Sequence, residues 1–345
     1  MAPAQPASTQ PLRITLSPSA RSFLTQGEDS LLQAALDAGF VLPYGCRNGA
    51  CGSCKGKVLE GLVDHGNIQP GALSLADRAA GYTLFCCAKP LSDVVLECRE
   101  VSGTNDIPVK TLPCRVEKIV RVAEDVIMLS LKLPVNERLQ FLAGQYIEFL
   151  LKNGKTRAFS IANAPYAAGL LELHIRHVVG GEFTSHVFTH MKEKDILRLR
   201  GPLGTFLLRD ADKPIIFVAG GTGFAPIKSM IEQAIHQGTR RPITLYWGAR
   251  KRSGLYFDAL PMQWATEYPH IRYVPVLSEP DAADAWHGRT GQVHHAVLQD
   301  HPDLSPFQIY VCGAPALTEN ALKDFTAQGL PAEEFFADAF SFSTV

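Results

Sequence analysis

The chain has 345 residues, 46% of them hydrophobic and 19% charged, which is too long for one ordinary core and predicts two or three domains. Its formal net charge of −1 argues against broad electrostatic binding to nucleic acid or to an anionic membrane. Because it has no secretory signal at its start and no run of about 18 uncharged apolar residues, we expect a cytoplasmic protein without a membrane span.

The sequence divides into a leader and three segments. Residues 1–11 predict a flexible leader, and residues 12–100 combine short alternating strands, a helix and a loop rich in glycine and cysteine. After a polar linker over residues 101–111, strand-sized runs dominate residues 112–210 and predict an antiparallel β-barrel. Over residues 211–345, buried strands alternate with helical stretches, the pattern of a parallel α/β sheet. The expected fold class is therefore multidomain, α+β followed by a barrel and α/β.

A cysteine loop carries the strongest chemical signal. Cys46, Cys51 and Cys54 form C-x4-C-x2-C, the spacing of plant-type 2Fe-2S clusters, in which one loop supplies three thiolates and a distant strand the fourth. Intervening glycines let the backbone turn tightly and direct N–H groups toward the sulfurs. A zinc site would favour two separated cysteine pairs, and unligated thiols are a second alternative. The spacing favours a 2Fe-2S cluster over both.

Cys86 and Cys87 compete to be the fourth ligand. Adjacent residues of a strand point to opposite faces, so only one of the two can face the cluster. The stretches PYGCRNGACGSCKGKV and LFCCAKPLSDVVLEC resemble ferredoxin domains fused to flavin reductases. This resemblance implies a β-grasp ferredoxin domain and assigns the fourth thiolate to Cys86.

The segment around residue 160 has the residue types that a flavin nucleotide needs. Arg157 can pair with a pyrophosphate, Phe159 can pack on the isoalloxazine, and the hydroxyl of Ser160 can lie near its N5 atom. The stretch RAFS and the later GEFT turn resemble the flavin barrels of the ferredoxin-NADP reductase superfamily. The resemblance implies FAD, although the motifs themselves leave FMN open. It adds these cofactor-binding residues: His174, Ile175, Arg176, Gly181, Phe183 and Thr184.

Two of these residues have further expectations attached to them. Thr184 stands where the superfamily usually has serine, a departure that keeps the hydroxyl. Together with Gly181 and Phe183 it is expected to open a helix toward the pyrophosphate, an anion that helix N-terminal amides favour. For His174, a strand histidine paired with its neighbours is an equal alternative.

A strand, a glycine-rich turn and a helix follow one another in PIIFVAGGTGFAPIKSM. Backbone amides of such a turn, together with the positive end of the helix, bind phosphate. The candidate phosphate-binding residues are Gly220, Gly221, Thr222 and Gly223. Their spacing differs from G-x-G-x-x-G, so the simple Rossmann fingerprint is not met. GGTGFAP does resemble the nicotinamide motif of the reductase superfamily.

Two later stretches complete the expected nicotinamide site. YVCGAP ends a strand and opens a helix, the position at which open α/β sheets bind ligands. The resemblance places Cys312 and Gly313 in the nicotinamide pocket, with a buried strand thiol as the alternative for Cys312. The aromatic FFADAF resembles superfamily tails that place an acid and an aromatic ring beside the flavin, here Asp338 and Phe340. Simple core packing is the alternative for these phenylalanines.

The preferred electron donor is left open by the residues themselves. The stretch YWGAR, residues 246–250, should lie beside the adenosine ribose. Arg250, Lys251 and Arg252 could pair with the 2'-phosphate of NADPH, or they could form a solvated turn. Similarity favours NADH, with NADPH as the other possibility.

From Leu12 to Phe340 the chain resembles the CDP-6-deoxy-delta-3,4-glucoseen reductase group of the ferredoxin-first oxidoreductases. The shared stretches are LAGQYIEF, SIANAP, GGTGFAPIKSM, YWG, VHHAVLQDHPDLS and FFADAF. The resemblance implies an NAD(P)H-dependent oxidoreductase that sends hydride to FAD near Ser160, with Cys312 and Asp338 orienting the nicotinamide as the other catalytic residues. Single electrons would then leave through the 2Fe-2S cluster to a partner protein.

Three hypotheses differ in what receives the electrons. The partner would be a sugar 3-deoxygenation dehydrase, or alternatively a component of an aromatic-ring or other oxygenase. A redox sensor or carrier without steady turnover is a third hypothesis, and the intact flavin and nicotinamide motifs argue against it.

Overall fold

The computed structural model describes residues 11–25, 28–69, 71–98, 100–101, 107–167 and 169–340. Most of the expected leader and residues 102–106 of the expected linker lie outside this range. The chain divides into two compact units, Met1–Asp106 and Ile107–Val345. Among the helices of the described residues, none has the length and apolar character needed to cross a membrane.

The first unit is built on one mixed sheet. Its strands are β1 (Leu12–Ser17), β2 (Ser22–Thr25), β3 (Lys55–Glu60), β4 (Val63–Asp64), β5 (Tyr82–Leu84), β6 (Lys89–Pro90) and β7 (Val94–Glu97), and its helices are α1 (Leu31–Asp37) and α2 (Leu75–Ala79). Five strands pair in the order β2-β1-β7-β3-β5, with β1 and β7 parallel and the other neighbours antiparallel. The strands β4 and β6 form a separate ribbon.

Local sequence explains how the helix of this unit packs on its sheet. Ser30 caps α1, because its side chain accepts a hydrogen bond from the backbone N–H of Gln33. Leu31 of the helix and Leu16 of β1 are both fully buried in one apolar cluster. The cysteine loop lies between α1 and β3, outside both elements.

The second unit begins with a six-stranded antiparallel sheet. Its elements are β8 (Lys110–Ala123), β9 (Val126–Lys132), β10 (Tyr146–Leu150), β11 (Thr156–Ser160), β12 (Leu171–Arg176), α3 (Glu182–Thr189) and β13 (Ile196–Leu203). The strand order is β11-β10-β13-β8-β9-β12, and all five pairings are antiparallel. A bridge between Ile161 and Leu173 joins the two edge strands β11 and β12. The sheet is therefore closed into a barrel around an apolar core.

The rest of the second unit is a parallel sheet with helices. Its elements are β14 (Ile215–Gly220), α4 (Phe224–His236), β15 (Ile243–Ala249), α5 (Ala259–Glu267), β16 (Ile271–Leu277), β17 (Arg289–Thr290), α6 (Val293–Asp300), β18 (Gln308–Gly313), α7 (Pro315–Ala327) and β19 (Phe335–Ala339). The order is β17-β16-β15-β14-β18-β19. The chain crosses from one half of the sheet to the other between β14 and β18, which makes their carboxyl ends a topological switch point.

Alternation along β14 shows why both faces of this sheet are covered. Phe217 belongs to one buried apolar cluster, and its neighbours Ile216 and Val218 belong to another on the opposite face. Parallel sheets are stable only when both faces are buried in this way. The predicted fold class, with a mixed ferredoxin-type sheet, an antiparallel barrel and a parallel α/β sheet, is confirmed.

Candidate functional site

Four thiols of the first unit come together in two pairs. The backbone N–H of Cys46 donates to Sγ of Cys51, and that of Cys51 donates to Sγ of Cys46, each over 3.3 Å. The thiol of Cys86 is hydrogen-bonded to that of Cys54, which is only 2% exposed. A 2Fe-2S cluster has two irons and four thiolate ligands, so this donor set fits it.

The electrostatics of the loop suit bound metal. The hydrogen bond to Cys51 and three loop N–H groups outweigh burial and lower the pKa of Cys46 to about 6. Metals bind the thiolate form of cysteine. The loop therefore favours the ionised form of at least one of its predicted ligands before any iron is present.

The glycines of the loop allow this close approach. Gly49 and Gly52 have φ values of +76° and +75°, which favour glycine. A Cβ atom at Gly49 would lie 2.7 Å from Sγ of Cys87 and 2.9 Å from the carbonyl oxygen of Asn67. The thiol of Cys87 thus lies against the backbone of the loop and 3.7 Å from that of Cys86. Since Cys86 is the one that contacts Cys54, the arrangement favours Cys86 as fourth ligand.

The predicted flavin-binding residues of β11 line one end of the barrel. Arg157 is half-buried, and its guanidinium donates only to the neighbouring carbonyl of Thr156 among the hydrogen bonds of the described residues. Phe159 packs on Phe183 of α3, with ring centroids 5.5 Å apart. Ser160 is 7% exposed at the end of the strand. Arg157, Phe159 and Ser160 therefore supply a cation, an aromatic ring and a hydroxyl along one strand.

The start of α3 has the features of an anion site, and Thr184 also stabilises the turn that precedes the helix. Gly181 precedes the helix, and no side chain caps its first turn, which leaves amides for a phosphate. The hydroxyl of Thr184 accepts from the N–H of Val178 at 3.1 Å and lies 3.3 Å from its carbonyl. A Cβ atom at Gly181 would lie 2.7 Å from this hydroxyl. Thr184 therefore shapes the turn, and the amides remain for the ligand.

The His174 ring is occupied by protein neighbours. Its Nε2 lies 3.0 Å from Glu172 and its Nδ1 lies 3.0 Å from the Tyr256 hydroxyl. Burial lowers the pKa of His174, and the pairing with Glu172 opposes this only in part, so the ring is neutral. Since both nitrogens are taken, a contact with the adenine side of FAD would come from the backbone. The paired strand histidine is what the structure shows for this side chain.

Arg176 joins the barrel to the dinucleotide turn. Its Nε is buried without a hydrogen bond, 3.2 Å from a carboxylate oxygen of Asp125. A Cβ atom at Gly221 would lie 2.8 Å from Nη1 of Arg176. Ile175 beside it is fully buried in the barrel core. A half-exposed guanidinium with one buried N–H that lacks a hydrogen bond, next to a glycine turn, fits a phosphate group.

The turn after β14 packs so closely against other backbone atoms that it requires glycine. Gly221 has φ +54°, and its carbonyl accepts a hydrogen bond from the indole of Trp247 at 2.9 Å. A Cβ atom at Gly223 would lie 2.0 Å from the carbonyl oxygen of Cys312. Thr222 lies between them, and no side chain caps the start of α4. The backbone amides of a glycine turn at a helix start that no side chain caps suit a pyrophosphate.

Cys312 and Asp338 are direct neighbours on β18 and β19. They face each other in the register, and the N–H of Phe340 donates to the carbonyl of Gly313 at 2.8 Å. Cys312 is fully buried, Asp338 is 9% exposed and Phe340 packs against the same apolar cluster. Burial, with the carboxylate of Asp338 adding to it, raises the pKa of Cys312 well above its usual range. The structure therefore brings together four residues that the sequence placed in one pocket, with Cys312 as a neutral thiol.

Sequence analysis missed a charged group buried between β12 and α4. Nζ of Lys228, a residue 7% exposed, lies 3.2 Å from Glu172 and 2.9 Å from Glu232, and donates to the carbonyl of Ala162 at 3.3 Å. Burial would raise the pKa of Glu172, but the hydrogen bond from His174 and the charge of Lys228 lower it to about 2. The signal in the sequence was a lysine inside the apolar run FAPIKSMI.

Comparison with known proteins agrees with this geometry. Three families match the chain: the 2Fe-2S iron-sulfur cluster binding domain at residues 14–91, the oxidoreductase FAD-binding domain at residues 113–207, and the oxidoreductase NAD-binding domain at residues 217–323. The CDP-6-deoxy-L-threo-D-glycero-4-hexulose-3-dehydrase reductase of Yersinia pseudotuberculosis is 44% identical over 329 residues, which cover 95% of this chain and 98% of that protein. The chain belongs to the iron–sulfur flavoprotein reductases. The predictions of an NAD(P)H-dependent oxidoreductase with FAD and a 2Fe-2S cluster are confirmed for this reductase.

Other relatives of the reductase serve oxygenases. Reductase component 2 of terephthalate 1,2-dioxygenase from Comamonas is 36% identical, covering 90% of this chain and 92% of that protein. Among solved structures, a cytochrome P450 reductase of Amycolatopsis has a TM-score of 0.77 and 32% identity, covering 96% of this chain and 100% of that one. These relatives are named as reductases of a dehydrase and of oxygenases, the two kinds of partner that the sequence predicted.

Proposed function

We propose that this reductase takes hydride from NADH and supplies single electrons to a dehydrase that removes the 3-hydroxyl group of a nucleotide-linked 4-keto sugar. The full-length similarity to the Yersinia reductase, at 44% identity, is the observation that carries this choice of partner. We further propose functional domains at residues 12–100, 112–210 and 211–345. The compartment proposed for the reductase is the cytoplasm, where its eight free cysteines would stay reduced.

The residues named above have separate tasks in this proposal. When bound, FAD supplies a two-electron acceptor for hydride and the 2Fe-2S cluster a one-electron carrier. Arg157, Arg176 and the amides at the start of α3 hold the cofactor's pyrophosphate, while Ser160 offers its hydroxyl at the flavin ring. Because these groups are ordered by the barrel before ligand arrives, little reorganisation is needed at the moment of transfer.

The nicotinamide side depends on a neutral thiol and a carboxylate. Cys312 stays protonated because its pKa is raised. Its thiol therefore packs as a small polarizable group and does not act as a nucleophile. The Asp338 carboxylate lies beside it in register and can accept a hydrogen bond from the carboxamide of the donor. Phe340 covers the same apolar cluster and would pack at the flavin edge. Together these residues orient the ring that gives up hydride.

The second candidate function is that of an oxygenase reductase component. It is favoured by the terephthalate dioxygenase relative and by the fold of the Amycolatopsis P450 reductase. Both proteins match this chain over at least 90% of its length. The two candidates therefore differ only in the acceptor that docks.

A reconstitution experiment distinguishes them. The reductase, with NADH under anaerobic conditions, is mixed in turn with a CDP-6-deoxy-L-threo-D-glycero-4-hexulose-3-dehydrase and its sugar substrate, and with a terephthalate dioxygenase oxygenase component. We expect NADH oxidation that is stoichiometric with deoxygenated sugar, and slow reduction of the oxygenase component. Faster reduction of the oxygenase component than of the dehydrase system would reverse the assignment of the partner.

A further inference from the structure

The strand order shows where the adenosine end of the donor lies. The predicted nicotinamide residues Cys312 and Asp338 are on β18 and β19, and the phosphate-binding turn follows β14. On the other side of that turn the sheet continues through β15 and β16. A dinucleotide that runs from β18 across the turn therefore extends its adenosine over the carboxyl ends of β15 and β16.

Two segments of opposite charge follow these two strands. The cations Arg250, Lys251 and Arg252 come directly after β15, and the carboxylates Glu279, Asp281 and Asp284 come shortly after β16. All six are at least partly exposed. Three positive charges therefore lie near three negative charges at the carboxyl ends of β15 and β16, where the 2'-substituent of the adenosine ribose would bind.

Direct contacts tie the two segments together. Nζ of Lys251 lies 2.8 Å from the Asp281 carboxylate. The backbone N–H of Arg252 donates to the Asp284 carboxylate at 3.2 Å, and its Nη1 donates to the Asp284 carbonyl at 3.3 Å. The N–H of Glu279 donates to the carbonyl of Arg250 at 2.9 Å.

The two aspartates are themselves fixed in place. They form a capping box around the short 3-10 turn Ala282–Asp284, in which each side chain accepts from the other residue's backbone N–H. The hydrogen bond to Asp281 raises the pKa of Lys251, with smaller contributions from Asp284 and Glu279. Lys251 is thus already paired with a carboxylate when a donor arrives.

We propose that Asp281 and Asp284 make the reductase select NADH, Asp281 by pairing with Lys251 and Asp284 by adding a second negative charge beside that pair. This inference rests on the proposed function. A 2'-phosphate carries a charge of about −1.5 to −2 at neutral pH, and it would meet no net positive charge here. To reach Lys251 it would have to displace a carboxylate that repels it. The uncharged 2'-hydroxyl of NADH meets no such repulsion, so discrimination comes from the aspartates and not from a lack of cations.

The test removes the two charges while keeping the shape of the turn. In the holoenzyme, the double variant D281N/D284N should raise kcat/KM for NADPH roughly tenfold, because one exposed ion pair and one further repelling carboxylate are together worth about that factor. Its kcat/KM for NADH should stay unchanged. In parallel, titration calorimetry with 2',5'-ADP and with 5'-AMP reports binding without turnover. The variant should bind 2',5'-ADP more tightly and 5'-AMP as before.

Two further variants decide the interpretation. Adding K251M to the double variant should abolish the gain in affinity for 2',5'-ADP, since the released cation is then absent. The control D303N/E333Q removes two charges near the amino ends of β18 and β19, and it should leave the donor preference unchanged.

Several results would overturn the proposal. They are a wild-type preference for 2',5'-ADP over 5'-AMP, unchanged binding of 2',5'-ADP in D281N/D284N, and a gain that survives K251M or appears equally in the control. Failure of NADH to reduce the flavin in the wild type would count instead against the proposed function. Because the calorimetric comparison needs no turnover, it still decides the donor question in that case.

Discussion

At the scale of single residues, Cys86 and Cys87 differ in what their thiols touch. Cys86 contacts Cys54, whereas Cys87 lies against the backbone of Gly49. We expect Cys86→Ser to abolish the cluster and Cys87→Ser to retain it, because only the former removes a thiolate from the four-sulfur set. Iron content and the visible absorption of anaerobically purified protein measure this. Loss of iron from Cys87→Ser, with iron kept in Cys86→Ser, would exchange the two assignments.

Lys228 is a second residue with a predicted role, that of positioning other groups through its buried positive charge. It ties β12, the strand that carries Arg176, to α4, the helix that starts at the dinucleotide turn. In Lys228→Met, Glu232 loses its cation while Glu172 keeps its hydrogen bond with His174. A buried charge without a partner costs about 3–5 kcal/mol. The resulting shift between barrel and sheet should slow flavin reduction by NADH roughly 10- to 100-fold.

Stopped-flow reduction of the flavin separates this effect from simple unfolding. FAD content of Lys228→Met should remain near that of the wild type, because Arg157 and the α3 amides are untouched. Lys228→Arg should restore most of the rate, since a cation returns to the same carboxylates. A Lys228→Met protein with normal FAD and a normal rate of flavin reduction would contradict the positioning role.

His174 and Glu172, which lie in the same buried cluster as Lys228, predict how the stability of the fold depends on pH. Burial lowers the pKa of His174 below the unfolded value of about 6.5, so the unfolded chain takes up the proton first and stability falls as the pH falls through that value. The pKa of Glu172, about 2 in the folded state, adds stability that is present above pH 4.5 or so and is lost toward pH 2. We expect a lower Tm at pH 5.5 than at pH 7.5.

A variant assigns that change to His174. In His174→Gln the drop in Tm between pH 7.5 and pH 5.5 should be smaller, because the residue that takes up the proton is gone. The remaining drop should reflect other histidines with lowered pKa, such as His294 and His301. An equal drop in the variant and the wild type would show that His174 contributes nothing to acid sensitivity.

At the scale of secondary structure elements, α4 offers a comparison between its two ends. At the start, a Cβ atom on Gly223 would lie 2.0 Å from a backbone carbonyl, which nothing nearby can relieve. At the end, Gly238 has φ +72° but no atom within 4 Å of its would-be Cβ. We expect Gly223→Ala to lower kcat/KM for NADH by roughly 100-fold or more, because the phosphate-binding turn must move.

Gly238→Ala is the matched control for this change. Its positive φ should cost about 1–2 kcal/mol of stability and leave kcat/KM unchanged. Urea unfolding and steady-state kinetics measure both quantities for both variants. A similar loss of activity from both alanines would mean that the helix as a whole, and not the turn, limits catalysis.

Elements and motifs were predictable from the sequence wherever the signal is local. Strand alternation, glycine turns and the cysteine spacing depend on neighbours in the chain, and they predicted the three kinds of sheet and the Cys46–Cys54 loop. The long-range partners were not predictable, because Tyr256 lies 82 residues from its partner His174, and Glu172, which pairs with Lys228, lies on a different element. Thr184 adds a contact that the sequence did not indicate: its hydroxyl accepts from the N–H of Val178.

At the scale of the whole molecule, the chain places its two redox functions in separate compact units. The four predicted cluster thiols belong to Met1–Asp106, and both the flavin barrel and the dinucleotide turn belong to Ile107–Val345. Each unit has its own apolar core, so loss of one cofactor need not unfold the other unit.

This separation predicts that the two halves of the reaction can be uncoupled. In Cys54→Ser, which removes a buried predicted ligand, NADH should still reduce the flavin and a dye that accepts electrons from it. Reduction of the partner protein should fall to background, because the one-electron carrier is missing. Parallel assays of dye and partner, with iron and FAD quantified in the same samples, measure both halves. If partner reduction persisted in iron-free protein, electrons would leave directly from the flavin, and the thiols of the first unit would need another function.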